Sequence, residues 1–104
     1  MSEPAAERPD DVLSAGRAEI ERIDRALVAL LAERVRSGES IAAVKRRLAL
    51  PITDPAQEAR VVRRAAQLAR DAGLPEEGVR DLFWRVIALT RDAEHAEHAE
   101  HPAP

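Results

Sequence analysis

The stretch that decides the fold runs from Asp11 to Leu50: DVLSAGRAEIERIDRALVALLAERVRSGESIAAVKRRLAL. It contains no proline. Its large apolar residues recur at helical spacing, first Ile20, Ile23, Leu27, Leu30 and Leu31, then Ile41, Val44 and Leu48. Pro51 closes the run, because proline disfavours helical backbone at the residue before it. A helix of that length would reach about 60 Å at 1.5 Å per residue, longer than a small domain is wide. Such a helix either breaks or lies along a partner. Ser37-Gly38 is the expected weak point, since a mid-helix glycine costs about 1 kcal/mol relative to alanine.

Outward from this run, Asp54-Pro55 opens a second helix, with Asp54 as N-cap and Pro55 at the first helical position. Gln57, three after the cap, has the spacing of a capping-box partner. Val61, Ala65, Leu68 and Ala72 form the expected apolar stripe. Gly73, followed by Leu74 and Pro75, supplies a C-terminal stop. A third helix begins near Pro75 with the stripe Val79, Leu82, Phe83, Val86 and Ile87. The organisation expected is a disordered lead over residues 1–10, a helical domain over 11–94 and a disordered Ala-Glu-His and Pro tail over 95–104. The fold class is all-α: a three-helix protomer with one long N-terminal helix. Three helices of unequal length leave the overhang of the first in water, and a second copy wrapped against it would bury that stripe. An intertwined helical homodimer follows as the expected assembly.

Composition agrees with a helical reading. Of 104 residues, 45% are hydrophobic but only 2% aromatic, so the apolar content is Ala, Leu, Val and Ile. A net charge of −3 argues against a nucleic-acid partner, and no apolar run suits a membrane span. Cysteine is absent, which removes disulfides and thiolate chemistry. No secretory leader is recognised, so the expected location is cytoplasmic. The histidines at 95, 98 and 101 lie in the tail, where a metal site lacks supporting groups.

Charge interrupts the apolar stripes at a few positions. Arg34 lies four after Leu30, on the inward face of the first helix, and Lys45 lies eleven after Arg34. Eleven residues are about three turns, which points both the same way with Cα atoms roughly 16 Å apart. Glu58 shares a face with Val61 and Ala65, and Thr90 and Glu94 extend the stripe of Phe83 and Ile87. Buried charge is costly unless paired, so three helices that each bring polar groups inward suggest a polar cavity. Arg17, about 25 Å from Arg34 along the helix, is too far to share a small ligand within one chain. In an antiparallel dimer, Arg17 would reach the partner's site. Each residue also has a plainer reading. Arg17 with Glu21 makes an i,i+4 surface pair. Arg34 pairs with Glu58 or extends its charge to solvent. Lys45 serves the negative end of its helix, and Asp54, Gln57 and Glu58 serve the start of theirs. Thr90 alone carries little signal, and Glu94 equally belongs to a solvated tail.

The segments RAEIERID (Arg17 to Asp24), LLAER (Leu30 to Arg34), Lys45 and DPAQE (Asp54 to Glu58) resemble, in order and spacing, the AroQ-type chorismate mutases. Leu82-Phe83, Val86-Ile87 and the hydroxyl residue Thr90 continue the likeness, which covers about Leu13 to Glu94. The resemblance implies an intertwined dimer of three-helix protomers, without metal or cofactor, that rearranges chorismate to prephenate. No covalent intermediate forms. The enzyme holds the substrate's compact conformer and stabilises charge as the ether C–O bond breaks. By this resemblance Arg34 binds one carboxylate and Arg17 from the partner chain the other, both suited to planar recognition. Lys45 donates to the ether oxygen. Glu58 and the Asp54 region hold the ring hydroxyl, Thr90 stands near a carboxylate, and Ile41, Val61 and Ile87 wall the ring.

Two positions depart from the family pattern. Gln57 stands where arginine is usual. Glu94 stands where glutamine is common as a second donor to the ether oxygen, and a carboxylate there only accepts hydrogen bonds. Glu94 would have to be protonated to donate, a form that apolar enclosure favours. These departures keep three rivals open: a mutase acting on 4-amino-4-deoxychorismate, an isochorismate-pyruvate lyase, and a non-catalytic helical dimer.

Overall fold

The computed structural model describes the backbone of residues 8–100 and the side chains of residues 8–94. Its regular elements are three helices, α1 (Pro9–Arg47), α2 (Pro55–Asp71) and α3 (Glu76–Glu100). The all-α, three-helix protomer is the class that the sequence implies. By internal contacts the chain divides into two compact units, Met1–Ala32 and Glu33–Pro104.

Pro9 starts α1, since the first helical position needs no N–H donor. Asp10 and Asp11 set negative charge at the positive end of the helix dipole, and Lys45, Arg46 and Arg47 set cations at the other. Of the two outcomes open to so long a helix, it does not break: α1 continues through Ser37-Gly38 as one long N-terminal helix. Glycine's propensity cost is local, and this glycine serves a close helix approach described below. After α1 the chain turns through Ala49 at φ 56. Leu50 N donates to Lys45 O at 2.8 Å and Ala49 N to Arg46 O at 3.2 Å, the pattern that glycine usually closes.

Asp54 caps α2 as expected, its Oδ1 accepting from Gln57 N at 3.2 Å. The reciprocal half of a capping box does not form, because the Gln57 side chain instead accepts from Arg60 Nε at 2.9 Å. Gly73, at φ 74, ends the helix, with Leu74 N donating to Ala69 O. The buried face of α2 is Val62, Ala65, Ala66 and Ala69. It is rotated from the expected stripe, and Leu68 points outward, 60% exposed. Small alanines let α2 lie close along α3, and a leucine on that face would hold the helices apart. Leu82 is likewise exposed, while Ile87 and Thr90 are buried and Phe83 is half-buried.

Two helix boundaries differ from the expected ones. The helix begins at Pro9 rather than after residue 10, and α3 runs to Glu100, into the stretch expected to be a disordered tail. Alanine and glutamate are strong helix formers, and no proline interrupts the repeat before Pro102, so the helix propagates. Residues 1–7 of the expected lead, and 101–104 of the tail with His101, lie outside the described residues.

In the unit Met1–Ala32 no described residue is buried. Ile20, Leu27 and Leu30 are 59%, 53% and 60% exposed on one helical stripe. The core lies in Glu33–Pro104, where Ala42, Val62, Ala65, Ala66, Ala69 and Ile87 are buried with Thr90.

Candidate active site

A cleft of about 330 Å³ opens in the unit Glu33–Pro104. The C-terminal part of α1 supplies Arg34, Ser37, Gly38, Ile41 and Lys45. The α1–α2 connection adds Ile52, Thr53 and Asp54, and α2 adds Gln57, Glu58 and Val61. Ile87, Thr90, Arg91 and Glu94 close it from α3. Ten of the eleven residues singled out from the sequence line this cleft, so residues separated by up to 60 positions share one small volume. Arg17 is the exception. It lies in the other unit, on a shallow surface with Val12, Leu13, Gly16 and Ile20. Nor does Arg17 pair with Glu21, which instead bonds Arg25.

The cleft's cations are held before any ligand arrives. Arg34 Nη1 donates to Thr90 Oγ1 at 2.9 Å, and Thr90 Oγ1 donates to Val86 O at 3.1 Å. Arg34 is thus fixed by Thr90 rather than by Glu58, and Thr90 is a link in a chain rather than a bystander. Lys45 Nζ donates to Ile52 O at 3.2 Å, which ties the lysine to the connection before α2. Just beyond it, Arg46 Nη2 donates to the Glu94 carbonyl at 3.2 Å and pins the end of α1 to α3. These bonds cost nothing in ordering when a ligand binds, since the side chains are already placed.

Gly38 explains how α1 and α3 come so close. A Cβ at this position would overlap the Thr90 Cγ2 methyl and lie 3.0 Å from Glu94 Oε1. Any side chain there would force Thr90 to shift, so glycine is the residue that fits without strain. The feature read as a weak point in the sequence is thus a contact that sets the width of the cleft.

Arg91 is a further cation of the cleft, not among the residues that the sequence pattern marks. Its Nη2 donates to both Glu58 oxygens at 2.5 Å across the α2–α3 interface. The Glu58 bond draws the Arg91 guanidinium's pKa further up from its ordinary value. A signal was available: Arg91 lies eight after Phe83 and four after Ile87, on the inward face. Apolar walls come from Ile41, Val61 and Ile87, and two forked cations and an ammonium stand among them. Such a lining suits a small anion with an apolar body. Among the described residues, no group of three or more acidic or histidine side chains is placed to hold a metal. No described helix is long and apolar enough to cross a membrane.

An all-helical cleft that sets cations on apolar walls has the lining to receive an anionic compound with an apolar ring. Residues 16–95 match the family described as chorismate mutase type II, and the chain belongs to that family. A relative named T-protein, from Enterobacter agglomerans, is 32% identical over 83 residues. That match covers 80% of this chain but 22% of the T-protein, so the chain spans a minor part of that curated relative's length.

Proposed function

We propose that this chain is a cytoplasmic chorismate mutase that converts chorismate to prephenate, with residues 11–94 as its catalytic domain. The observation that supports this most is the convergence of Arg34, Lys45, Glu58, Thr90 and Glu94 on one cleft walled by Ile41, Val61 and Ile87. At about 330 Å³ its volume falls at the lower end of small-ligand sites, as a single-ring substrate requires. Arg34, held by Thr90, binds one carboxylate. Lys45 keeps its bond to the Ile52 carbonyl and gives another of its three N–H donors to the ether oxygen, where negative charge grows as the C–O bond breaks, and Glu94 supplies a second donor when protonated. Donors placed in advance lower the barrier because they need not reorganise during the reaction. Glu58, with Asp54 and Gln57 beside it, receives the ring hydroxyl.

The same reading includes a homodimer. The exposed stripe of Ile20, Ile23, Leu27 and Leu30 is too apolar to face water along its length. A second copy covers it and brings its own Arg17 to the other carboxylate. The Glu58–Arg91 pair favours a hydroxyl substrate over the amino analogue, because Glu58's charge is already met and an ammonium gains little from it.

The test is loss of chorismate absorbance with product identification, alongside light scattering for the dimer. Arg34→Ala should lower kcat/KM by about a hundredfold or more, the usual loss for a charged anchor in an enclosed site. Turnover unaffected by Arg34→Ala would refute the assignment.

A further inference from the structure

We propose that Arg91 is a positioning residue for this reaction: it neutralises and fixes Glu58, so that the cleft admits a dicarboxylate while Glu58 still accepts the ring hydroxyl. This rests on the rearrangement proposed above.

The lining of the cleft carries three cations, Arg34, Lys45 and Arg91, against three acidic side chains, Asp54, Glu58 and Glu94. Asp54 is occupied as the cap of α2. Arg34 and Lys45 rest on neutral acceptors, Thr90 and the Ile52 carbonyl, and so remain available to an anion. Arg91 is different, because it faces a carboxylate already. Its Nη2 bridges both oxygens of Glu58, whose side chain is the more buried of the two, 19% exposed against 38%.

Without Arg91, Glu58 would present a poorly solvated negative charge to an incoming dianion. Like charges confined to one small cleft repel strongly, because less water screens them. A carboxylate bound to a cation keeps outward lone pairs for a hydroxyl donor yet no longer opposes the ligand. The guanidinium adopts this pose although its Nε–H is left buried without a partner, so the Glu58 contact outweighs a lost hydrogen bond. The other charged groups lining the cleft with the pair are Arg34 and Lys45 from α1, Asp54 from the connection and Glu94 from α3. Asp92 and Glu94 add smaller negative fields at Arg91 itself.

The experiment compares the full-length wild type with R91M, E58Q, R91K and the double variant R91M/E58Q. It measures steady-state turnover of chorismate, and chorismate binding by calorimetry. R91M should raise KM about tenfold with a smaller fall in kcat, since repulsion acts on bound substrate and transition state alike. The double variant should return KM to within about threefold of E58Q, because the bare carboxylate is gone. R91K keeps the charge, and a single nitrogen already meets both Glu58 oxygens, so it should stay within about threefold of the wild type, and it carries the test if R91M fails to fold. Unchanged KM in R91M overturns the proposal. Equal defects in R91M and the double variant also overturn it, because they mean that Arg91 grips substrate directly. A tenfold KM rise in R91K does the same. A wild type that neither binds nor converts chorismate removes the mutase reading and this inference with it, whereas an active wild type with a silent R91M removes this inference alone.

Discussion

Gly38 of α1 and Thr90 of α3 meet so closely that a single methyl at position 38 would overlap the Thr90 methyl. Two effects oppose each other in Gly38→Ala. Helix propensity favours alanine by about 1 kcal/mol. Overpacking a fixed contact costs about 1–3 kcal/mol. Thr90 is β-branched, and its hydroxyl is tied to Arg34 and Val86, so it yields little. Gly38→Ala should therefore lower stability by about 1 kcal/mol in urea unfolding, the difference of those terms. Adding Thr90→Ser, which removes the methyl and keeps the hydroxyl, should restore it. A single variant more stable than the wild type would show that the two helices can part without cost.

Ala49 offers the opposite sign. It holds a left-handed backbone at φ 56 after α1, where a side chain costs about 1–2 kcal/mol. Glycine removes that cost but gives back about 0.4–1 kcal/mol through the freedom of the unfolded chain. Ala49→Gly should raise the unfolding free energy by a net of about 0.5 kcal/mol, read as a higher urea midpoint with the slope unchanged. A fall in the midpoint would mean that Ala49's methyl makes packing worth more than the strain.

These two positions also show where the sequence is readable. Local rules place Asp54, Pro55 and Gly73 correctly, because caps and stops depend on a few neighbouring residues. Periodicity brings Arg34, Lys45, Glu58, Thr90 and Glu94 to one cleft, because helical spacing alone fixes their faces. Contact between helices is less legible. Gly38 reads as a breaker by propensity, and only the nearness of Thr90 shows that it is a spacer. Leu68 and Leu82 fit the expected stripes, yet alanines take the α2–α3 interface because closeness there favours small residues. Arg91 is not legible as a site residue because its partner, Glu58, lies 33 residues away on another helix.

Arg70 and Glu76 tie the end of α2 to the start of α3 through a 2.6 Å bond. That hydrogen bond, with charge attraction, holds the Glu76 carboxyl below its usual range. A depressed carboxyl contributes stability above its unfolded value and loses it as pH falls through the lower folded value. The Arg70 side chain is largely exposed, so the effect is small. Glu76→Gln should lower Tm slightly near neutrality, and the gap to the wild type should close as pH falls through the lowered folded value. A gap of constant size from neutral to acid would assign it to helix-end effects instead.

Glu94 is the position where pH should reach the chemistry. It lines the cleft from α3, with Arg46 bonded to its own carbonyl, so its place on the wall is fixed by backbone as well as by helix. As an ionised carboxylate it accepts hydrogen bonds and repels the negative charge that grows on the ether oxygen; protonated, it donates. Activity that needs the protonated form is present at acid pH and declines as pH rises through that group's titration. Glutamine donates at every pH. Glu94→Gln should therefore raise kcat at neutral pH by about tenfold or more, the scale set by one donor to developing charge, and remove the acid-side preference. Profiles of kcat from acid to mildly alkaline pH for both proteins decide it. If both are flat, Glu94 is not a donor in the rate-limiting step, and Lys45 alone carries the ether oxygen.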